Sequence, residues 1–503
     1  MKKTFIRILV IVPVAAVQVL WLMLLIKWLT PYSVIINFIL SICAFLFVLY
    51  IITKRDESTY KILWLLVILL FPLAGAVLYL FYGNKRPARL LRKRLQRAAH
   101  SDTPAESVVD CELASRDIRM AQTFRWLENK TKHPVFRNED VRYYSLGDEM
   151  FPDMLEDLRN AEKYIYVEYF IISHGLFWDS ILEILEQKAR EGVDVRVMYD
   201  DLGSISTYTM GDVRELQEHG IKCTVFNPLV CISGSLNYRD HRKMMIIDGK
   251  VAFTGGINLS DEYINHKERF GHWKDTGFRI SGKPVESFTV MFRTFWNAFS
   301  KQPDIENPSE YESTEPIASS GGDGYVLSYC DSPLNAESTS TELYIDLLSQ
   351  ATDYAWFYTP YLMPGDDLMN AMIMAAQRGV DVRIMMPGIP DKKLIFRMSH
   401  SFYQTLLLGG VKIYEYEPGF LHAKAFVTDD RIATVGSVNL DHRSLFLHFE
   451  NNSLFYGASL VSDLKQDFLS TQEKCREIKP YDNGAYVFRR VFDGILRLFA
   501  PLC

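Results

Sequence analysis

The chain has 503 residues, enough for two compact units of ordinary size, and is 48% hydrophobic and 23% charged. Its 55 Lys and Arg against 61 Asp and Glu leave a net charge of −6, which excludes the general positive field of a nucleic-acid binder, so an anionic ligand must be met by a local cluster. The seven cysteines are odd in number, scattered and never spaced as a metal knuckle, so neither a disulfide framework nor a metal site is expected, and reduced surroundings are the simpler reading.

In chain order, the first hundred residues differ from the rest. Stretches 8–26, 28–53 and 62–84 carry no charge and are dominated by Leu, Ile, Val and aromatics, each long enough to cross a hydrocarbon layer as a helix. The first has no small-residue cleavage site before the second begins, so 1–84 reads as a permanent anchor of two or three transmembrane helices. Residues 85–112 open with "KRPARLLRKRLQR", a basic run without an acid. Such a run marks the cytoplasmic flank of a multi-pass cell-membrane protein and lies against anionic head groups. Two spans keep this flank and Lys2, Lys3 and Arg7 on one side, whereas three separate them.

From about Leu113 short apolar runs alternate with amphipathic segments, the pattern of an α/β fold. "YIYVEYFII" from Tyr164 predicts a buried strand, "ILEILEQKAREG" a helix ending near Gly192, and "VDVRVMYDD" the next strand. The order recurs in "YAWFYTPYL" from Tyr354, a helix through "NAMIMAAQRG" and "VDVRIMMPG". Gly192 to Arg196 reappears letter for letter at Gly379 to Arg383; "GIKCTVFNP" pairs with "GVKIYEYEP", and His241 with His422, at offsets of 187, 190 and 181 residues. Landmarks in one order at near-constant offset indicate internal duplication. The expected divisions are a first half at 113–300, a Pro-, Gly-, Ser- and acid-rich linker at 301–324, a second half at 325–484 and an amphipathic C-terminal segment at 485–503.

The repeat is densest at "HRKMMIIDGKVAFTGGIN" from His241 and "HAKAFVTDDRIATVGSVN" from His422. Residues two apart on a strand share a face, so His241 projects with Lys243 and His422 with Lys424. Asp248 and Asp429 lie an odd seven residues from their histidines, at turn signals, and take a supporting part in the catalytic set. A returning strand brings Asn258 and Asn439 beside the pairs, with small residues such as Ser437 letting a ligand approach the backbone. Imidazole, ammonium and amide without a carboxylate cluster suit a phosphate rather than a metal: Lys and Asn hold oxygens, and imidazole attacks phosphorus or moves a proton. A displacement through a phosphoryl-histidine needs two imidazoles, and duplication supplies the second if the halves meet around a pseudo-twofold axis.

These residues resemble the paired HxKxxxxD signatures of the phospholipase D superfamily. "LNYRDHRKMMIIDGKVAFTGGINLSDEY", "HWKDTGFRISG", "GFLHAKAFVTDDRIATVGSVNLDHRSLFLHFENN" and "LLFPLAGAVLYLFYG" are similar, more narrowly, to bacterial cardiolipin synthases. The resemblance implies two phospholipase D-like α/β sandwich halves behind transmembrane helices. It also implies transfer of a phosphatidyl group between two phosphatidylglycerol molecules, giving cardiolipin and glycerol, with membrane lipids as partners and no nucleic acid or cofactor. His241 would be the nucleophile and His422 the general acid and base, with Lys243, Lys424, Asn258, Asn439 and Ser437 around the phosphate. Each imidazole would be oriented by a carboxylate some thirty residues downstream, at Asp275 and Glu450. The rival readings are a membrane phospholipase D or phosphatidylserine synthase, using water or serine as acceptor, and a non-catalytic lipid-binding scaffold.

Overall fold

The computed structural model describes residues 16–24, 33–54, 58–83, 86–99, 111–228, 237–301, 324–335, 337–481 and 486–502. Residues 16–24 are helical, as are α1 (Ser33–Ile52) and α2 (Ser58–Leu70). Among the described residues one helix, Val34–Ile52, is long and apolar enough to cross a membrane. The stretch expected to span at 62–84 is instead broken: α2 ends before Phe71, and a second helix starts at Pro72. Proline lacks the N–H that would continue α2 and is tolerated at the first position of a new helix. Most of the expected linker at 301–324 and part of the stretch at 8–26 lie outside the described residues.

The strands in chain order are β1 (Phe136–Arg137), β2 (Asp140–Tyr144), β3 (Tyr164–Tyr169), β4 (Asp194–Asp200), β5 (Lys222–Phe226), β6 (Arg239–Asp240), β7 (Met244–Ile247), β8 (Val251–Gly255), β9 (His272–Lys274) and β10 (Gly277–Ser281). They continue as β11 (Tyr325–Asp331), β12 (Tyr354–Tyr358), β13 (Asp381–Pro387), β14 (Lys412–Tyr416), β15 (Gly419–Leu421), β16 (Ala425–Thr428), β17 (Ile432–Gly436), β18 (His448–Tyr456) and β19 (Cys475–Ile478). Six further helices enter the argument: α3 (Leu176–Arg190), α4 (Val285–Phe299), α5 (Asp366–Gln377), α6 (Lys393–Leu408), α7 (His442–Leu447) and α8 (Ser459–Gln472). The chain closes with α9 (Tyr486–Phe499).

The first half forms a sheet in the order β2-β10-β8-β7-β3-β4-β5, and the second repeats it as β11-β18-β17-β16-β12-β13-β14, with β1 and β19 added at the edges. Polarity repeats as well. β3-β4-β5 and β12-β13-β14 are parallel, bridged by α3 and α5, while the neighbouring pairs are antiparallel. Duplication is therefore visible in topology as well as in letters.

The two sheets face each other. Tyr164 and Tyr166 of β3 and Tyr354, Trp356 and Tyr358 of β12 enter one shared core, together with α4 and α8. The alternate residues Ile165 and Val167, and Ala355 and Phe357, enter separate outer cores under α3 and α5. Strands buried on both faces read as continuous apolar runs, which is why these segments stood out in the sequence.

Two short parallel pairings then cross the seam. β6 of the first half lies beside the start of β18 of the second, and β15 of the second beside β9 of the first. His241 follows β6 directly, and His422 follows β15 directly. The pairs expected on a strand therefore sit just ahead of β7 and β16. Alternation still holds there: Arg242 turns away from His241 and Lys243 into a buried pairing with Asp240 (2.9 Å) and Glu168, its guanidinium 3.4 Å from the Phe295 ring centre.

Candidate active site

The crossed pairings decide how each imidazole is held. The His241 backbone N–H donates to the Phe449 carbonyl (2.9 Å), one residue before Glu450, and His241 Nδ1 meets both Glu450 oxygens at 2.9 Å. The His422 N–H donates to the Lys274 carbonyl (2.7 Å), one residue before Asp275, and His422 Nδ1 meets Asp275 Oδ2 at 2.6 Å. Each carboxylate thus serves the histidine of the other half, not the one some thirty residues upstream in its own. A carboxylate on Nδ1 fixes the tautomer that leaves Nε2 free. Glu450 is itself held by the hydroxyls of Ser437 and Ser444, the latter at 2.6 Å.

Both imidazoles act in one electrostatic site. Burial, aided by the charges of Lys243, Lys424 and His422, holds His241 well below the usual imidazole range. Burial and Lys424, whose Nζ stands 2.7 Å from Nδ1, hold His422 down at about 4 against the opposing pull of Asp275. Each lysine donates to the carbonyl of its own histidine. Burial lowers Lys243 to about 7 and Lys424 to about 8, and raises Glu450 to about 7. Desolvated ammonium groups are primed for an anion, because its charge restores what burial removed.

The other expected residues fall differently. Asp248 and Asp429 do not reach the imidazoles. Asp248 accepts the backbone N–H groups of Glu162, Lys163 and Tyr164 at 2.7–2.8 Å, and Asp429 those of Thr352, Asp353 and Tyr354 at 2.8–3.0 Å. Both stand at positive φ (54° and 53°) in the hairpin turn and pin it to the start of β3 or β12. This is architecture, as their odd spacing implied. Ser437 turns to Glu450 rather than toward a ligand. Asn258 accepts from the Ile171 N–H (3.0 Å) and donates to the Tyr263 hydroxyl (2.8 Å), whose ring lies 5.4 Å from His422. Asn439 keeps a buried Oδ1 with no partner among the described residues.

Sequence reasoning missed His448, Ser444, Phe170 and Trp273. His448 lies two residues before Glu450, on the same face of β18, with its ring 5.6 Å from that of His241; Trp273 holds the matching place, 5.5 Å from His422. The period of two along "HFE" and "WKD" was the available signal. Phe170 stacks edge-on to His241 at 4.9 Å. His241, His448 and Glu450 bring ligand atoms within 4.8 Å of one another, the one such group among the described residues. A divalent ion there would replace the Nδ1 proton that now joins His241 to Glu450.

A family model described as "Cardiolipin synthase, PLD-like domain" matches residues 154–294 and 344–471, and one described as "Phospholipase_D-nuclease N-terminal" matches residues 39–84. An uncharacterized protein of Streptococcus mutans is 42% identical over 90% of this chain and 99% of its own length. Cardiolipin synthases of Alkalihalophilus pseudofirmus and Halalkalibacterium halodurans are each 32% identical, over 89% and 90% of this chain and 90% of theirs. The crystal structure of a Haemophilus influenzae phosphatidylserine synthase shares the fold with a TM-score of 0.57, at 16% identity over 76% of this chain and 98% of that one.

Proposed function

This chain belongs to the cardiolipin synthase family built on duplicated phospholipase D-like halves, and we propose that it transfers a phosphatidyl group from one phosphatidylglycerol to the terminal hydroxyl of another. The observation that carries the reading is the exchange of carboxylates: Glu450 on His241 and Asp275 on His422. Neither half holds a complete imidazole–carboxylate pair alone, so the reacting groups are assembled only at the seam.

In the proposed reaction Nε2 of His241 attacks phosphorus while His422 gives a proton to the departing glycerol oxygen. The P–O bond breaks, and a phosphatidyl-His241 forms. His422 then removes the proton from the hydroxyl of a second phosphatidylglycerol, whose oxygen displaces Nε2. The products are cardiolipin and glycerol, and no net proton is consumed. His422 must be protonated in the first step, and the diester's negative charge, entering beside an imidazole held at about 4, raises its proton affinity. Lys243 and Lys424 hold the non-bridging oxygens.

An apolar N-terminal helix and the family place the chain at a membrane. That it is multi-pass, with the catalytic halves on the cytoplasmic side of the cell membrane, is part of the proposal, supported by the basic run after residue 84. The test is incubation of the purified full chain with labelled phosphatidylglycerol in mixed micelles. Equal release of cardiolipin and glycerol, unchanged by chelator, is expected. Phosphatidic acid as the main product, or a phosphatidylserine product when serine is added, moves the assignment to the corresponding rival.

A further inference from the structure

A helix on a water-exposed domain normally turns its apolar stripe inward and its charges outward. α9 does the reverse. Its inward side carries Asp493 and Arg497. Arg497 donates to the Ser401 carbonyl (3.2 Å from Nε) and to the Thr405 hydroxyl (2.9 Å), and its guanidinium lies 4.7 Å from the Phe402 ring centre. Asp493 is 13% exposed and faces Arg397 at 3.6 Å. All four partners belong to α6. The outward side carries Val491, Phe492, Ile495 and Phe499, exposed by 61, 50, 49 and 47%. Leu496 also packs inward, but covering both charges while leaving four large apolar side chains out does not suit a helix ending in water.

We propose that this outward face is embedded in the lipid bilayer, with α9 lying along the membrane surface as a second attachment beside the N-terminal anchor. Continuity supports the occupant. α9 packs against α2 as well as α6, and α2 exposes its own apolar stripe of Ile62, Leu66 and Leu69 next to the spanning helix. Arg397, 38% exposed, sits 5.7 Å from the Phe492 ring. A cation at the rim of an apolar face suits head-group depth.

The attachment also reaches the cleft. The turn after α9, Ala500–Leu502, packs against α7, and Tyr60 of α2 stacks on His442 of α7 with ring centres 5.8 Å apart and planes 13° from parallel. Ser444 of the same α7 donates to Glu450. Membrane docking and the orientation of His241 therefore share one short helix.

The inference rests on membrane association and not on the reaction assigned above. The full chain, reconstituted in phosphatidylglycerol–phosphatidylethanolamine vesicles, is made with benzoylphenylalanine in place of Phe492, Ile495 or, as control, the exposed Glu218, and irradiated. Adducts with labelled lipid at 492 and 495 and none at 218 are expected, whether or not the protein turns over. Absence of lipid adducts at 492 and 495, or adducts between two protein chains there, overturns the proposal. In parallel, Phe492→Asp with Ile495→Asp should lower turnover in vesicles by about tenfold and leave turnover in detergent micelles unchanged. Equal loss in both, or loss in neither, counts against it.

Discussion

The surroundings of His241 and of His422 share a plan and differ in their furnishing. On the His241 side Glu450 is locked by two serine hydroxyls and the ring lies beside Phe170 and His448. On the His422 side Asp275 accepts from the Thr276 N–H (2.9 Å), and the ring lies near Tyr263 and Trp273 with Lys424 at its edge. The residues behind the exchange differ too. Arg242, fully buried, pairs with Asp240 and Glu168, where its counterpart is Ala423. Phe449, which presents its carbonyl to His241, packs among Phe226 and Phe295; its counterpart Lys274 is bound to Asp467 at 2.8 Å. Duplication supplied two like reagents, and divergence around them gave each its own environment. That difference supports the proposed division of roles between the two histidines.

The largest effects should come from the imidazoles. His241→Ala and His422→Ala are each expected to reduce cardiolipin formation by about a thousandfold or more, because reagents acting as a unit are not additive. With His422→Ala, a reaction quenched in denaturant at neutral to mildly alkaline pH, where the P–N bond survives, should still show phosphatidyl label on the protein, and with His241→Ala none. The opposite pattern would exchange the two roles. Next in size is Arg242→Ala, which strands Glu168 and Asp240 in the core and should cost about 3–5 kcal/mol in denaturant unfolding. Ala423 has no such burden, so introducing Gly there should cost far less. A comparable loss would remove the contrast.

Where the two regions are alike, their variants should behave alike. Asp248→Ala and Asp429→Ala each orphan backbone donors at a strand start and should each cost about 2 kcal/mol of stability, with residual activity in the folded fraction. Inactivity of the folded protein would return the aspartates to the chemistry. Ser444→Ala should lower kcat by about tenfold at unchanged KM by loosening Glu450, whereas no comparable hydroxyl supports Asp275 among its described hydrogen bonds. The smallest effect is the pH response. Lys243 and Lys424, lowered to about 7 and about 8, lose their charge as pH rises, so kcat/KM for the anionic lipid should fall through that window. Bound phosphate raises both values, so the decline in kcat should lie at higher pH. Coincident declines would argue against lysine–phosphate contact.

Much of this was legible beforehand. The twin landmarks around Gly192 and Gly379 predicted two halves of equal topology, and the odd seven-residue spacing kept Asp248 and Asp429 off the reactive face. The partners of Ser437 and Asn258 were not legible, because a hydroxyl or amide near a histidine in sequence gives no sign of a bond to Glu450 or Tyr263. The helix boundary at Pro72 has a visible signal, the proline itself inside the apolar stretch 62–84.

Alternation, duplication and the His–Lys spacing are local or periodic properties, and the sequence alone determined them: two α/β halves, each offering one imidazole and one ammonium behind an apolar N-terminus. Which carboxylate serves which histidine was decided by tertiary structure. So were the placement of His448 and Ser444 around His241 and Glu450 and the turning of the charges of α9 inward. The reason is physical. β6 on β18 and β15 on β9 are pairings of two and three residues between distant parts of the chain, too short to leave a pattern and held in register only once the shared core has brought the two sheets together.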